Sequence, residues 1–402
     1  MSSVPRVAMI TTSLGTGGAT IFLCNLGGEF VRRGIPVQVI SFDNDNSFAT
    51  DFQRLGVPTI CHDDKKQILE DRTKSILEHL SDFKPSVVIA NLGTISFEIL
   101  RYLPPGVFRL GVVHADDPGV YRSLRPYSQC LDAIAAVSKR IAETLETMPE
   151  FAKVSVKYLP LGVPMPATDR RTQLADTHAL KILYLGRLGQ VQKRVRLFPQ
   201  ILEALKSAGV PFHWSIVGEG IDSAFLENSM RTSSPQQTVS FHGKVDYSQV
   251  SEVLSKHDVY LLTSDFEGLP LTLLEAMGHG LVPVVSDLPS GIREVVDNNT
   301  GIRVAMNDVP GYAKAIIWLH QNRDSLRTLS ENARKRVLLE FSTEAMANRW
   351  LAAFPENAPN PVIWPTRWQV KPPLTAESLF RFSPAGRMLR RLKFAGRNLI
   401  TK

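Results

Sequence analysis

Two glutamates, Glu267 and Glu275, stand eight positions apart in the segment SDFEGLPLTLLEAMG, which occupies residues 264–278. Pro270 suits the first turn of a helix, and the N–H groups of the residues around it are then free to bind a ligand. Carboxylates at two depths can accept hydrogen bonds from hydroxyls on two parts of one polar ligand. Alternatively, both residues have structural roles: Glu275 is a helical residue whose hydrogen bonds are made within the protein, and Glu267 is an exposed acid that caps the helix.

Two basic residues, Arg187 and Lys193, follow a predicted strand at residues 181–185, in the segment GRLGQVQKR (residues 186–194). The guanidinium of Arg187 offers a planar pair of donors to phosphate oxygens, and the Lys193 ammonium is a mobile point charge. Together the two could neutralise a departing diphosphate. The alternative is a basic turn that only faces solvent.

A glycine-rich loop, SLGTGGAT at residues 13–20, follows the first predicted strand and opens a helix. Glycines let the backbone approach a ligand, and the free N–H groups of a helix start favour anions. As a dinucleotide fingerprint the loop lacks its third glycine, although Asp43 lies near the end of the second strand, where a dehydrogenase needs an acid. A nicotinamide site and a simple tight turn both remain alternatives here.

Apolar runs alternate with amphipathic segments along most of the chain, a pattern typical of parallel βαβ units. The predicted strands span residues 7–11, 37–42, 86–90, 109–114, 133–137, 154–159, 181–185, 214–217, 239–241, 259–263 and 282–286. A polar, proline-containing stretch at residues 160–178 interrupts the alternation. We therefore predict an α/β protein of two doubly wound, Rossmann-like domains, residues 1–165 and 179–354, whose strand carboxyl ends face a central cleft.

The composition of the 402 residues, 44% hydrophobic and 21% charged, excludes a disordered chain, a collagen-like chain and a disulfide scaffold. No uncharged apolar stretch reaches the roughly 18 residues of a membrane span, and the N-terminus lacks a basic region followed by an apolar one. The sequence therefore predicts a cytoplasmic protein, at most peripheral on the inner face of the membrane. Cys24, Cys61 and Cys130 lack metal-ligand spacing, and we expect reduced thiols.

Residues 355–402 form a basic tail with nine Lys or Arg residues against Glu356 and Glu377, and this excess equals the net charge of +7 of the whole chain. The rest of the chain is therefore neutral, which argues against a nucleic-acid partner. A short basic amphipathic helix is predicted from Ser383 onward. It either touches an anionic membrane that carries a lipid-linked acceptor or crosses back to pack on the N-terminal domain.

The order and spacing of the motifs over residues 5–350 resemble glycosyltransferase family 4, whose members are retaining enzymes with the GT-B fold. The segments that carry the resemblance are GGA at 17–19, LPLGV at 159–163, GRL at 186–188 with Lys193, VGEG at 217–220, VSFHG at 239–243, Glu267 with Glu275, PVVS at 283–286 and NNTG at 298–301. Two residues depart from the family pattern. Thr20 stands where many members have an acid, and Arg194 stands where glycine is common.

The resemblance implies that the C-terminal domain binds a nucleoside-diphosphate sugar, linked to UDP or GDP, as a co-substrate. On this resemblance Arg187 and Lys193 bind the diphosphate. Glu275 binds the ribose hydroxyls, and Glu267 binds the hexose. The other donor-binding residues implied by the family are Gly17, Gly18, Gly218, His242, Val245, Gly268, Leu269, Pro270 and Leu271.

His114 follows a predicted strand at the position where the family often has a histidine that contacts the donor sugar, so the resemblance includes it among the catalytic residues. The segment ADDPG at 115–119 follows at the same sheet edge, and it makes Asp116 and Asp117 candidates for binding acceptor hydroxyls in the N-terminal domain. The alternative for His114 is a structural hydrogen-bonding role.

The resemblance implies retaining transfer of a hexose, without a metal or other cofactor, to a saccharide or lipid-linked acceptor in surface polysaccharide or glycan synthesis. Negative charge develops on the departing diphosphate, so fixed cations beside it lower the barrier. Retention requires either a covalent intermediate or attack on the same face. Three alternatives remain: a GT-B nucleotide-sugar epimerase, a non-catalytic nucleotide-sugar-binding subunit and a nicotinamide dehydrogenase.

Overall fold

The computed structural model describes residues 4–43, 45–62, 69–166, 179–233, 238–355, 362–365 and 367–370. The described residues divide into two compact units. Unit 1 takes those of Met1–Val137, Ile141–Leu159 and Ala347–Lys402, and unit 2 takes those of Ser138–Arg140 and Pro160–Met346. The basic helix predicted from Ser383 lies outside the described residues. In the ranges given above, no helix has the length and apolar character that crossing a membrane requires.

Unit 1 contains a seven-stranded parallel sheet in the order β3-β2-β1-β4-β5-β6-β7. Its strands are β1 (Val7–Thr11), β2 (Val37–Ser41), β3 (Thr59–Cys61), β4 (Val87–Ala90), β5 (Phe108–Val113), β6 (Ala133–Ala136) and β7 (Ser155–Tyr158). Every residue of β1, β4 and β6 is buried, as expected of parallel strands covered on both faces. The strand order reverses beside β1 and β4, so the residues that follow these strands lie at the switch point of the sheet.

The helices around this sheet are α1 (Gly18–Arg32), α2 (Ala49–Arg54), α3 (Leu69–Phe83), α4 (Thr94–Leu100), α5 (Pro118–Leu124) and α6 (Lys139–Glu146). The end of the helix Thr343–Ala353 also belongs to unit 1. Its Trp350 is fully buried and packs against Phe22 of α1, with ring centroids 5.0 Å apart. This contact explains why residues 347–354 group with the first unit, whereas the sequence placed them in the second domain.

Unit 2 contains a six-stranded parallel sheet in the order β10-β9-β8-β11-β12-β13. Its strands are β8 (Leu180–Leu185), β9 (Phe212–Val217), β10 (Val239–Gly243), β11 (Val259–Leu262), β12 (Val282–Ser286) and β13 (Ile302–Val304). The strand order reverses beside β8 and β11. Both sheets are therefore parallel and doubly wound, which confirms the predicted α/β class.

The helices of unit 2 are α7 (Gln190–Lys193), α8 (Phe198–Ser207), α9 (Ser223–Ser233), α10 (Tyr247–Ser255), α11 (Leu271–Gly278), α12 (Gly291–Val295), α13 (Val309–Gln321), α14 (Arg323–Arg336) and the first part of α15 (Thr343–Ala353). Tyr184 of β8, Phe198 of α8 and Trp214 of β9 form a buried aromatic row, with successive ring centroids 5.0 and 5.1 Å apart. This packing fixes β8 and β9, the strands from which two of the candidate loops emerge.

Candidate functional site

Lys193 and Glu267 form an ion pair at the carboxyl edge of the unit 2 sheet, with Lys193 Nζ 2.6 Å from Glu267 Oε1. Lys193 ends α7, in the connection after β8, and Glu267 lies in the loop after β11. β8 and β11 are adjacent parallel strands, so the two loops emerge side by side. The side chains are only 14% and 8% exposed, and their attraction is therefore screened less than that of a surface pair.

Three further hydrogen bonds support the ion pair, one within the loop after β11 and two between that loop and α7. Ser264 Oγ donates to Glu267 Oε1 at 2.7 Å. Thr263 Oγ1 donates to the Lys193 carbonyl at 2.7 Å, and the Asp265 N–H donates to the Gln192 carbonyl at 2.9 Å. The ion pair is therefore held by backbone contacts on both sides.

Gln192 links the two loops through its side chain. Arg187 Nη2 donates to Gln192 Oε1 at 3.0 Å, and Gln192 Nε2 donates to the Phe266 carbonyl at 3.2 Å and more weakly to Glu267 Oε2 at 3.5 Å. The structure thus brings together Arg187, Lys193 and Glu267, three residues that the sequence predicted as catalytic. Sequence reasoning missed Gln192, and the only available signal was its position beside Lys193 on a one-turn helix.

Arg187 keeps its guanidinium at the surface while its backbone is fixed. The residue is exposed, and the Tyr184 hydroxyl donates to its carbonyl at 2.7 Å. Burial raises the pKa of Tyr184 well above its usual range, so this donor keeps its proton. The Arg187 fork is therefore accessible to an anion and already oriented by Gln192.

Gly218 has a structural reason to be glycine. Its φ is +133°, and a Cβ added to it would lie 1.9 Å from the Gly186 carbonyl oxygen. Gly220 has the same constraint, since its Cβ would lie 2.0 Å from the Leu188 carbonyl. The loops after β8 and β9 thus touch through their backbones. This contact explains Gly218 without a ligand, whereas the sequence interpretation gave it a ligand-binding role.

Glu275 is a buried acid on α11, with 5% of its surface exposed. Burial raises its pKa to about 7, and a hydrogen bond from Tyr247 limits the rise. Gly268, Leu269, Pro270 and Leu271, which lead into α11, are also buried. The carbonyl of Gly268 accepts a hydrogen bond of 2.8 Å from the Gly291 N–H, which fixes the entry to the helix.

His242 and Val245 lie at the end of β10, the edge strand of the sheet. His242 is exposed and Val245 is half-buried. The Gly218 N–H donates to the Gly243 carbonyl at 2.7 Å, which places this segment beside the loop after β9. In the part of the chain that the structure describes, neither residue forms a hydrogen bond or ion pair with Lys193 or Glu267.

His114 is held in unit 1 by Asn91, with His114 Nε2 2.6 Å from Asn91 Oδ1. Asn91 follows β4 and is fully buried, and His114 follows β5, the neighbouring strand. The Phe22 ring meets the imidazole edge to face, with centroids 5.4 Å apart. Burial lowers the pKa of His114 to about 4, so the imidazole is neutral at pH 7.

Asp116 and Asp117 both have partners within unit 1. Asp117 is the N-cap of α5, and its Oδ1 accepts hydrogen bonds from the Gly119 and Val120 N–H groups at 2.8 and 3.2 Å. Asp116 Oδ1 accepts a hydrogen bond of 2.6 Å from the Tyr121 hydroxyl. The structure therefore gives Asp117 a helix-capping role that the sequence interpretation did not include.

The glycine loop of unit 1 has room for a side chain at Gly17 but not at Gly15. A Cβ on Gly15 would lie 2.2 Å from Asp45 Oδ2, whereas a Cβ on Gly17 would have nothing within 4 Å. The Leu14 N–H donates to the Asp45 carbonyl and the Phe48 N–H donates to the Leu14 carbonyl, both at 2.9 Å. These bonds join the loop to the segment after β2. The Asp45 carboxylate thus occupies the space beside Gly15, which disfavours a dinucleotide lying there.

Outside these loops, an open cavity of about 830 Å³ lies along β13, α13 and α14. None of its lining residues belongs to the predicted site, and Arg303 on its wall is paired with Asp287 at 3.1 Å. Among the described residues, no group of three or more His, Cys, Asp or Glu side chains is placed to hold a metal ion. We therefore assign the candidate site by its side-chain chemistry rather than by cavity volume.

Two known protein families together match most of the predicted two-domain region. Residues 16–165 match the family described as Glycosyltransferase Family 4, and residues 167–336 match Glycosyl transferases group 1. The first match ends at residue 165 and the second begins at residue 167.

Three individual proteins are similar to this chain. WcaL of Escherichia coli, named as a colanic acid biosynthesis glycosyltransferase, is 31% identical over 201 residues, 48% of this chain and 49% of WcaL. AmsK of Erwinia amylovora, an amylovoran biosynthesis glycosyltransferase, is 30% identical over 199 residues, 48% of each chain. The chain thus spans about half the length of the curated relatives it matches. HepE of Anabaena, crystallised with UDP-glucose, superposes with a TM-score of 0.68 and 16% identity, covering 87% of this chain and 100% of HepE.

Proposed function

Because the chain belongs to the glycosyltransferases that join a family 4 domain to a group 1 domain in the GT-B fold, we propose that it transfers a hexose from a nucleoside-diphosphate sugar with retention at the anomeric carbon. One observation carries the proposal: Arg187, Lys193 and Glu267 converge through Gln192 at one sheet edge. Cations beside a carboxylate complement the two parts of such a donor, an anionic diphosphate and a hexose rich in hydroxyls.

The proposed role of Arg187 and Lys193 is to stabilise the leaving diphosphate. Breaking the anomeric C–O bond places negative charge on the diphosphate, and preformed cations stabilise that charge more in the transition state than in the ground state. Lys193 is already oriented by Glu267, so little reorganisation is needed when the donor binds. These cations supply the charge stabilisation without a metal or other cofactor in the proposed reaction.

The proposed role of Glu267 is to bind the hexose rather than to attack it. Its Oε1 already accepts hydrogen bonds from Lys193 and Ser264, and its Oε2 faces Gln192. Such bonds stabilise the carboxylate and weaken it as a nucleophile. We therefore favour attack by the acceptor hydroxyl on the face that the diphosphate leaves, with a diphosphate oxygen removing the hydroxyl proton.

The relatives guide the choice of substrates. The HepE structure contains UDP-glucose, so UDP-hexoses are the first donors to test. The names of WcaL and AmsK concern colanic acid and amylovoran, so the proposed acceptor is a saccharide or lipid-linked saccharide of a surface polysaccharide. Glu275 is the proposed ribose-binding group and His114 the proposed contact of unit 1 with the donor sugar. The cytoplasmic location and the membrane role of the tail remain predictions.

A thermal-shift panel with UDP-, GDP- and ADP-hexoses tests the proposal. We expect one nucleotide sugar to raise the Tm of the full chain, and the Lys193→Ala variant to lose most of that shift. Incorporation of labelled hexose into an acceptor polysaccharide fraction then measures transfer. Conversion of the donor to a free epimer without acceptor would instead identify an epimerase, and binding without any turnover a non-catalytic subunit. A fluorescence response to NADH would contradict the proposal.

A further inference from the structure

We infer that Asn91 is a positioning residue that fixes His114 in the Nε2–H tautomer and leaves Nδ1 as the acceptor for a hydroxyl of the donor hexose. The identity of the hydroxyl rests on the proposed function. The tautomer is a property of unit 1 alone and is testable without any substrate.

The geometry couples the two side chains tightly. Asn91 and His114 directly follow the adjacent parallel strands β4 and β5, and the Asn91 N–H donates to the Ile10 carbonyl at 2.8 Å. The Asn91 side chain is fully buried, and its Oδ1 lies 2.6 Å from His114 Nε2. A contact this short between a buried amide and an imidazole requires one donor and one acceptor.

The surroundings of the amide decide which atom donates. Asn91 Nδ2 lies 3.4 Å from Thr11 Oγ1 and 3.5 Å from the Ala19 carbonyl. A carbonyl can only accept, so the amide nitrogen must face Ala19 and the amide oxygen must face His114. His114 Nε2 therefore carries the proton, and Nδ1 carries the lone pair.

The remaining contacts keep the ring neutral and its Nδ1 available. Among the described residues, none forms a hydrogen bond with Nδ1, while Phe22 packs against the ring at 5.4 Å between centroids. Burial is the cause of the lowered pKa of His114, and no charged group of the described segments contributes to it. The nearest acid along the chain, Asp116, is bonded to Tyr121. A neutral ring with a fixed lone pair is suited to accept a hydrogen bond from a sugar hydroxyl.

The first test is the tautomer itself, read by ¹⁵N NMR of the histidine-labelled full chain at pH 7. The His114 signal is assigned by its loss in His114→Gln. In the native chain we expect a protonated Nε2 and an unprotonated Nδ1. In the Asn91→Asp variant we expect the pKa of His114 to rise by about two units, because a carboxylate favours the charged ring. His279, bonded to Ser251 and the Glu275 carbonyl, is the internal control that stays unchanged. A protonated Nδ1 in the native chain overturns the inference, whether or not transfer is detected.

The second test separates positioning from stability. Asn91→Leu should lower kcat/KM for transfer about tenfold, or about 1.4 kcal/mol, and should have almost no further effect in a His114→Ala background. In Asn91→Asp, kcat/KM should fall as the pH drops through the raised pKa of His114, because the protonated ring cannot accept. Additive losses, or an unchanged pH profile in Asn91→Asp with a raised pKa, would show that Asn91 serves only the fold.

Discussion

The loop after β1 in unit 1 and the loops after β8 and β11 in unit 2 offer a ligand different kinds of contact. In unit 2 the side chains bind one another before any ligand arrives, since Lys193 pairs with Glu267 and Gln192 bridges Arg187 to the neighbouring loop. In unit 1 the loop after β1 presents bare backbone, and a Cβ on Gly17 would meet no atom within 4 Å.

This difference shows what each unit requires of its sequence. A ligand of unit 2 must share or replace existing charge contacts, so the identity of the side chains determines its binding. A ligand of unit 1 near Gly17 needs only the empty space and the N–H groups at the start of α1. Side-chain substitutions should therefore reduce ligand binding most strongly in the loops of unit 2. In unit 1, a single methyl group added at Gly17 should be enough to reduce it.

The largest expected effect is the loss of a cation in unit 2. Arg187→Ala or Lys193→Ala should lower kcat by at least about two orders of magnitude, a loss of about 3 kcal/mol, because the departing diphosphate loses a preformed charge. Steady-state kinetics with the donor identified by thermal shift measure it. Lys193→Ala should also lower the Tm, because Glu267 is left largely buried without its partner.

A matched control for these variants is Lys206→Ala, which removes a cation paired with Glu203 on the surface of α8. We expect its kcat and Tm to stay close to the native values. Near-normal turnover in both Arg187→Ala and Lys193→Ala would remove the main support for the donor site in unit 2.

The second effect contrasts two glycines. Gly218→Ala should destabilise the protein by about 3 kcal/mol or more, because its φ of +133° and the Gly186 carbonyl leave no room for a methyl group. Gly17→Ala should leave the Tm unchanged, since its φ of 171° suits alanine, and should still lower kcat/KM at least about tenfold. Thermal denaturation and kinetics on the same preparations separate the two outcomes. Full activity of Gly17→Ala would mean that no ligand approaches this loop.

Sequence periodicity predicted most of the fold because the buried strands are continuous apolar runs. The observed β8, β11 and β12 lie within one or two residues of their predicted bounds. The short elements β3, β13 and α2 were missed, since three to six residues carry too little periodicity to distinguish them from loops. The helix α5 was missed because its start, ADDPG, looks like a polar loop until Asp117 is seen to cap it.

The sequence predicted the charged residues of the candidate site that belong to motifs. It did not predict residues whose roles depend on partners distant in the sequence. Arg187, Lys193 and Glu267 could be named because their motifs match the family pattern in order and spacing. Gln192 donates to the Phe266 carbonyl in the loop after β11, and Asn91 contacts His114 after β5; no local sequence pattern reports such distant partners. Gly218 shows the opposite case, because a motif glycine has a packing cause that only the Gly186 carbonyl reveals.

The third effect is a pH dependence of donor binding through Glu275. Its pKa is raised to about 7 by burial, and only the carboxylate form accepts hydrogen bonds at both oxygens from ribose hydroxyls. Donor affinity should therefore fall up to about tenfold as the pH drops from 8 to 6. Calorimetric titration measures this fall, and Glu275→Gln should bind more weakly with no change over that range. A fall of equal size in Glu275→Gln would assign the dependence to another group.

The same shift predicts the pH dependence of stability with the opposite sign. Folding favours the protonated Glu275, so the free energy of unfolding should decrease as the pH rises from the ordinary carboxyl range to about 7, and Glu275→Gln should lose this decrease. Chemical denaturation at pH 5 and pH 8 measures it. Donor affinity and stability thus change in opposite directions with pH. This is expected where the fold disfavours the charged form of a residue and the ligand requires that form.

The smallest effect concerns Asp117 in unit 1 and decides whether that residue serves the fold or the acceptor. Asp117→Ala should lower the free energy of unfolding by about 1 kcal/mol, because the Gly119 and Val120 N–H groups lose their cap, and Asp117→Ser should restore most of it. The KM for the acceptor should stay unchanged in both variants. If instead the KM rises severalfold in Asp117→Ser while stability is restored, the carboxylate itself binds the acceptor, and unit 1 relies on charged side chains as unit 2 does.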